Sequence, residues 1–230
     1  MSNEGVSGQG VPGHGTSTAP VVTVSGSFGA GGAIVGPMVA DRLGVAFLDR
    51  AIPVRVARSL DVPVEEALDR DERRPPALAR FLSSLAVGGD ALGATPAGTA
   101  DRVANDDAFR VETERVIREM AGDAGGVILG RAGAVVLAGH PHALHVRLDG
   151  NRESRIDRIM AIERSERNAA AKLVDSSDRA WLSYVRYFYK TDARDPALYH
   201  LMLDSTVLTM ETCTDIIVMA ARDRADHPGR

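Results

Sequence analysis

One stretch limits what this chain can fold into more than any other: Val21-Val22-Thr23-Val24-Ser25-Gly26-Ser27-Phe28-Gly29-Ala30-Gly31-Gly32-Ala33-Ile34-Val35. Four β-favouring residues run into a glycine-dense loop, and the loop runs into an apolar segment with helical spacing. Strand, glycine loop and helix are the layout of a phosphate-binding loop, in which successive backbone N–H groups curl around an anion at the positive end of a helix. Glycine supplies the positive φ and the close main-chain approach that this requires. The pattern G-x-x-x-x-G-K-[ST] is met only at Gly26 and Gly31. Gly32 stands in place of the lysine and Ala33 in place of the hydroxyl that binds Mg²⁺. On the loop alone, an ordinary glycine-rich βα turn is an equal reading.

The 230 residues are 44% hydrophobic, enough for one substantial core, or a core with a small appended subdomain. A net charge of −4 argues against a general nucleic-acid binder. No apolar run is long enough to span a bilayer and no signal-peptide core is visible, so no membrane partner is expected. A single cysteine, Cys213, excludes an internal disulfide and suits a reducing cytoplasm. Residues 1–20 carry scarcely an apolar side chain and read as a disordered tail. Six of the ten Phe, Tyr and Trp residues fall between Trp181 and Tyr199, where they read as core or as a subunit contact, which leaves homo-oligomer formation open.

Along the chain, 21–25 reads as a buried strand and 32–43 as a helix ending at Gly44, with Pro37 inside it. Residues 45–50 read as a second strand carrying Asp49-Arg50 at its C-terminal end, where open α/β sheets bind ligands. Short helices at 53–59 and 77–87 and a loop over 88–101 make 46–104 an irregular helical insertion. An amphipathic helix is expected over 106–121, with Asn105 or Asp106 as its cap. Strands at 127–131 and 143–148, helices at 152–163 and 166–190, a strand at 201–205 and a helix at about 208–213 follow. Residues 215–218 fit either that helix or a further strand, with helix favoured. Alternation of strands and helices points to a doubly wound parallel sheet. The six histidines show no ligand spacing, so no protein-held metal is expected.

These residues resemble the cytidylate kinase-like family of nucleoside monophosphate kinases. The resemblance spans 21–218 and rests on five ordered pieces. They are the opening loop, Phe47-Leu48-Asp49-Arg50, Val127-Ile128-Leu129-Gly130-Arg131, Arg155-Ile156-Asp157-Arg158-Ile159-Met160, and Asp195-Pro196 through Tyr199 to Ser205 after a Tyr- and Arg-rich helix at 178–190. It implies a P-loop kinase fold over 21–222, with helices on both sheet faces, an NMP-binding insertion at 46–104, a lid at about 164–195 and a flexible 223–230. It implies transfer from ATP to (d)CMP, giving ADP and (d)CDP, with Mg²⁺ held mainly by the phosphates. An impaired nucleotide-binding protein with a sensor or regulatory role is the alternative; a kinase for another small acceptor is a third reading.

The cradle then comprises Gly26, Ser27, Gly29, Ala30, Gly31, Gly32 and Ala33. Asp49, Arg50, Arg55 and Arg131 are expected at the acceptor phosphate, and Arg131, Arg179 and Arg186 supply transition-state charge. Related loops carry a lysine, or arginines flanking its glycine replacement; Gly26 and Ala33 occupy those flanking positions here. Asp204 is expected either to hold a metal-bound water or, preferably, to cap the following helix.

Overall fold

The computed structural model describes residues 19–48 and 99–227. Asp49, Arg50 and Arg55, the helices expected at 53–59 and 77–87, and nearly all of the N-terminal tail lie outside the described residues.

Five parallel strands, β1 (Val21–Gly26), β2 (Phe47–Leu48), β3 (Gly126–Leu129), β4 (Ala143–Asp149) and β5 (Leu201–Asp204), form one sheet in the order β2-β3-β1-β4-β5. β1 lies at the centre, paired with β3 from Val21↔Gly126 and with β4 from Val21↔Ala143. A central parallel strand is covered on both faces, which is why its first five residues are all buried.

Helices cover both faces. On one, α1 (Gly32–Leu43) and the C-terminal helix α6 (Met210–Asp226) pack on Val22, Val24, Leu144, Val146 and Leu148. On the other, α2 (Thr99–Asp123) and the one-turn α3 (Gly133–Val136) cover Val21, Ile128 and Ala143. The antiparallel pair α4 (Arg152–Glu163) and α5 (Arg167–Tyr189) packs through Ile156, Ile159, Ala170, Leu173 and Val174. Asn151 caps α4 through the Glu153 and Ser154 amides, and Thr209 caps α6 through the Thr212 amide.

Several expected boundaries shift. α2 begins at Thr99, so Asn105 and Asp106 lie inside it rather than at its cap, and 99–101 is helix, not loop. Asn and Asp cost only about 0.5 kcal/mol in a helix interior, and from Arg110 onward the helix is braced by pairs such as Arg110–Glu114 (2.6 Å) and Arg118–Glu114 (2.9 Å). β3 stops at Leu129, and Gly130, Arg131 and Ala132 turn away with φ of 70°, 55° and 52°. Residues 215–218 are helix. α6 starts at Met210 rather than 208 and runs well past 213, four residues beyond the expected end of the domain at 222, because Val218, Ala221 and Ala225 keep its buried stripe going. No helix among the described residues is long and apolar enough to cross a membrane.

His145 belongs to the core and predicts a pH response. It sits on β4 at 4% exposure, takes Thr23 Oγ1 at 2.9 Å on Nδ1 and stacks on His200 with ring centroids 4.9 Å apart. Burial, then the neighbouring His200, push its pKa down to about 4, with Arg224 and His140 acting in the same direction and the Leu137 carbonyl opposing. The folded chain therefore keeps the ring neutral, while the unfolded chain protonates near 6.5. Stability is complete above about pH 6.5 and declines as the pH falls towards 4, by up to about 3 kcal/mol at 1.36 kcal/mol per unit. Urea denaturation between pH 4.5 and 7.5 measures it, and His145→Gln flattens the profile.

Candidate active site

The loop between β1 and α1 is shaped by two left-handed glycines, Gly29 (φ 81°) and Gly31 (φ 85°). The Ser27 amide extends the sheet by donating to Leu148 O (3.1 Å), and the Ala30 amide closes a turn on Ser27 O (3.0 Å). Gly31 O caps α1 by accepting from Ile34 and Val35 (both 2.9 Å). The amides of Gly29, Gly31, Gly32 and Ala33 have no acceptor among the described residues. Four main-chain donors at a helix N-terminus, two of them on left-handed glycines, form an anion nest.

The outer side of the loop is held by side chains from far along the chain. Arg155 Nη1 donates to Phe28 O (2.7 Å), Arg158 Nη1 to Gly29 O (2.8 Å) and Ser205 Oγ to Ala30 O (2.6 Å). In a trans peptide the C=O and the next N–H point in opposite directions. Holding the Phe28 and Ala30 carbonyls on the outside therefore turns the Gly29 and Gly31 amides to the inside, while the Ala30 amide between them is spent on Ser27 O. Met210 also packs on the outer side: a Cβ added to Gly31 would stand 2.6 Å from its Sδ.

Charge reaches the loop by the same route. Arg158 spans two segments, with Nη2 on Ser205 O (2.8 Å), and its guanidinium grips carbonyls rather than carboxylates. Burial pushes its pKa below the usual arginine value, yet a guanidinium remains charged at neutral pH. Arg147, 4% exposed on β4, bridges Ser27 Oγ (3.1 Å), Asp149 (3.1 Å) and Ala193 O (3.1 Å). Asp149 in turn accepts the Ser27 hydroxyl at 2.8 Å. Burial works against its charge, but the Ser27 hydroxyl, the Gly150 amide and Arg147 prevail and hold the carboxyl below its ordinary value.

On the outer side of the loop, where Arg158 and Met210 pack, lies a groove of about 470 Å³ between α1, α4 and the β5–α6 connection, lined also by Ile34, Ile162, Val207 and Leu208. Ile34, Ile162 and Val207 are 42%, 46% and 79% exposed. Apolar side chains left in solvent around one groove suit a flat ring.

The expected site residues divide. Gly26 ends β1, Ser27, Gly29, Ala30, Gly31, Gly32 and Ala33 lie in the loop or the first turn of α1, and of these Gly29, Gly31, Gly32 and Ala33 carry the open amides. Arg131 is 5% exposed in the turn after β3, whose Gly130 amide is tied to Val24 O of β1 at 2.9 Å, one strand over from the loop. Arg179 and Arg186 are exposed on α5, and Arg186 lies 3.8 Å from Asp192. Asp204 does not cap α6: it accepts the Thr206 amide (2.8 Å) and hydroxyl (2.6 Å), and Thr209 is the cap. Short polar side chains compete for nearby amides, and the nearer turn won.

Residues 21–207 match the cytidylate kinase-like family. The chain belongs to that family. No curated protein matches it. Among solved structures, the chain is similar to an uncharacterized protein from Eubacterium ventriosum ATCC 27560, at 16% identity and TM-score 0.61, over 88% of this chain and 98% of that one. A shikimate kinase from Acinetobacter baumannii (14% identity, TM-score 0.47, 89% and 93% covered) and a gluconokinase from Sinorhizobium meliloti 1021 (15%, 0.46, 90% and 92%) are also similar. The fold is a five-stranded parallel sheet with helices on both faces, in a chain of the cytidylate kinase-like family.

For a member of the cytidylate kinase-like family, the cation arrangement is the informative departure. A Cβ at Gly32, where the loop lysine would attach, would stand 2.9 Å from Leu129 Cδ1, so a lysine there needs Leu129 to move. Sequence reasoning noted Arg155 and Arg158 as part of a motif but gave neither a role, and it missed Arg147 and Asp178. A readable signal existed. Arg155 and Arg158 are three apart, like the buried Ile156 and Ile159, so both arginines flank the helix's inward stripe.

Proposed function

We propose that this chain transfers the γ-phosphoryl group of ATP to a cytidine monophosphate, CMP or dCMP, releasing ADP and the diphosphate. The observation that supports the reading is a set of four amides at the start of α1 with no acceptor among the described residues, suited to the triphosphate. The acceptor's phosphate oxygen attacks the γ-phosphorus, and the bond from that phosphorus to the β-bridging oxygen breaks. The cradle holds the β-phosphate, and Arg158 braces the loop from its outer side. Arg131, with Asp49, Arg50 and Arg55, serves the acceptor phosphate; Arg179 and Arg186 reach the transferring group only when α5 swings inward as a lid.

Mg²⁺ fits as a passenger of the nucleotide. Ala33 offers no hydroxyl, and no group of three or more His, Cys, Asp or Glu among the described residues could hold a metal ion. When bound, the ion would offset charge across the β- and γ-phosphates.

A second reading, nucleotide binding with impaired transfer, is favoured by the pairing of Arg147 and Arg155 with Asp149 and Asp178, which spends their charge locally. ADP release measured with CMP, dCMP, UMP and AMP separates the two: the kinase reading expects turnover with the cytidylates, and none with any acceptor leaves only binding. At one hundred times its Kd, ATP should stabilise the fold by about 2.7 kcal/mol, about 5–10 °C in Tm. Arg131→Ala should abolish the corresponding shift with CMP, and an unchanged CMP shift removes Arg131 from the site.

A further inference from the structure

Phe28 is held on three sides by the α4–α5 pair. Its ring packs into the core that these helices share. Its amide donates to Asp178 Oδ1 of α5 at 2.8 Å, and its carbonyl accepts from Arg155 Nη1 of α4 at 2.7 Å. The same Nη1 reaches Asp178 Oδ2 at 2.9 Å, and Arg155 Nε donates to Gly150 O at 3.2 Å. Arg155 and Asp178 are 8% and 25% exposed, so both charged partners are largely removed from water.

We propose that Asp178 is a positioning residue for the phosphate cradle, setting the direction of the Gly29 amide through Phe28 and Arg155. The role rests on the nucleotide-binding reading above and deepens it. Asp178 fixes one peptide by taking the Phe28 N–H, and it fixes the next by anchoring the guanidinium that holds Phe28 C=O. Because that second peptide is planar, its outward carbonyl sends the Gly29 N–H inward. The nest is thereby preorganised without a lysine, and its affinity for polyphosphate depends on where α5 sits. Any inward swing of α5 from this position must carry Phe28 with it or give up the Phe28–Asp178 bond, so lid movement and cradle shape are one event.

The test is calorimetric titration of the full chain with ATP and with inorganic tripolyphosphate, which has no base to fill the groove. Asp178→Ala leaves the Phe28 amide without its acceptor and Arg155 without its anion. A hydrogen bond to a charged group is worth about 1.5–3 kcal/mol, so both ligands should bind about ten- to a hundredfold more weakly, by the same factor. Asp178→Asn keeps an oxygen for Phe28 but loses the ion pair, and should weaken both by a smaller common factor. It carries the test if the alanine variant does not fold. A lower Tm with unchanged affinities marks a purely structural residue and overturns the proposal. So does weakening of ATP alone, which places the defect at the base. A wild-type chain that binds neither ligand removes the nucleotide reading and this role together; one that binds both as well as Asp178→Asn does removes this role alone.

Discussion

Gly31→Val should bind ATP more than a hundredfold more weakly than the wild-type chain while remaining folded. Gly31 has φ 85°, a conformation that costs an L-residue about 1–2 kcal/mol, and more for a β-branched one. The added Cβ would stand 2.6 Å from Met210 Sδ and 2.7 Å from its Cε. Methionine can swing away, so the clash alone is survivable. The backbone strain is not relieved that way. If φ relaxes, the Gly31 carbonyl leaves the Ile34 and Val35 amides, and the Gly31 and Gly32 amides leave the nest with it. Calorimetric titration with ATP reads the affinity. Thermal denaturation should show a loss of about 5–10 °C, from about 2–3 kcal/mol in a chain of this size. Gly31→Ala should move both quantities in the same direction by less. A valine variant that binds ATP normally would show that the cradle is not the phosphate site.

Arg158→Met should lower ATP affinity by about ten- to a hundredfold with only a small change in Tm. The methionine replaces most of the aliphatic stem, so packing against the groove is kept. What disappears is a guanidinium donating to Gly29 O and Ser205 O at 2.8 Å each. Both carbonyls can recover hydrogen bonds from water at the groove, which limits the stability cost. The Gly29–Ala30 peptide loses its outer anchor, so the Ala30–Ser27 turn that spaces the Gly29 and Gly31 amides loosens, and the loop loses a cation. Lysine should rescue little, because one ammonium on a flexible stem does not reproduce a planar fork spanning two segments. Equal affinities for wild type and Arg158→Met would mean that the loop holds its shape, and the polyphosphate, without this arginine.

The scaffold was readable because its signals are local. The run Val21–Val24 is apolar without alternation, as a strand covered on both faces must be, and β1 is buried throughout its first five residues. α1 ends at Leu43 because Gly44 takes the left-handed C-terminal position, and α4 spans the expected 152–163 because Asn151 caps it. The start of α2 was not readable: Asn105 and Asp106 look like caps, yet a helix that continues through them simply bears their modest cost. The source of the loop's charge was illegible for a different reason. Arg147, Arg155 and Arg158 lie about 120–130 positions beyond the loop carbonyls and hydroxyl they hold. On a helix Arg155 and Arg158 look like any solvated face, and on β4 Arg147 looks like the polar side of an alternating strand. Attention went to arginines at strand ends and on the aromatic-rich helix, of which Arg131 is buried near β1 while Arg179 and Arg186 stand in solvent.

The grip of Ser205 and Arg158 on the loop bears on how the protein matures as it is made. A loop of the pattern G-x-x-x-x-G-K-[ST] carries its own cation and is chemically complete as soon as it is made. Here the glycines emerge from the ribosome early, but the groups that orient them follow only with α4, α5 and the end of β5. At about 5–20 residues per second, the nascent chain spends about ten seconds or more with an unshaped loop. A partly synthesised chain of this kind should ignore nucleotide altogether, and competence should arrive abruptly, late, and all at once.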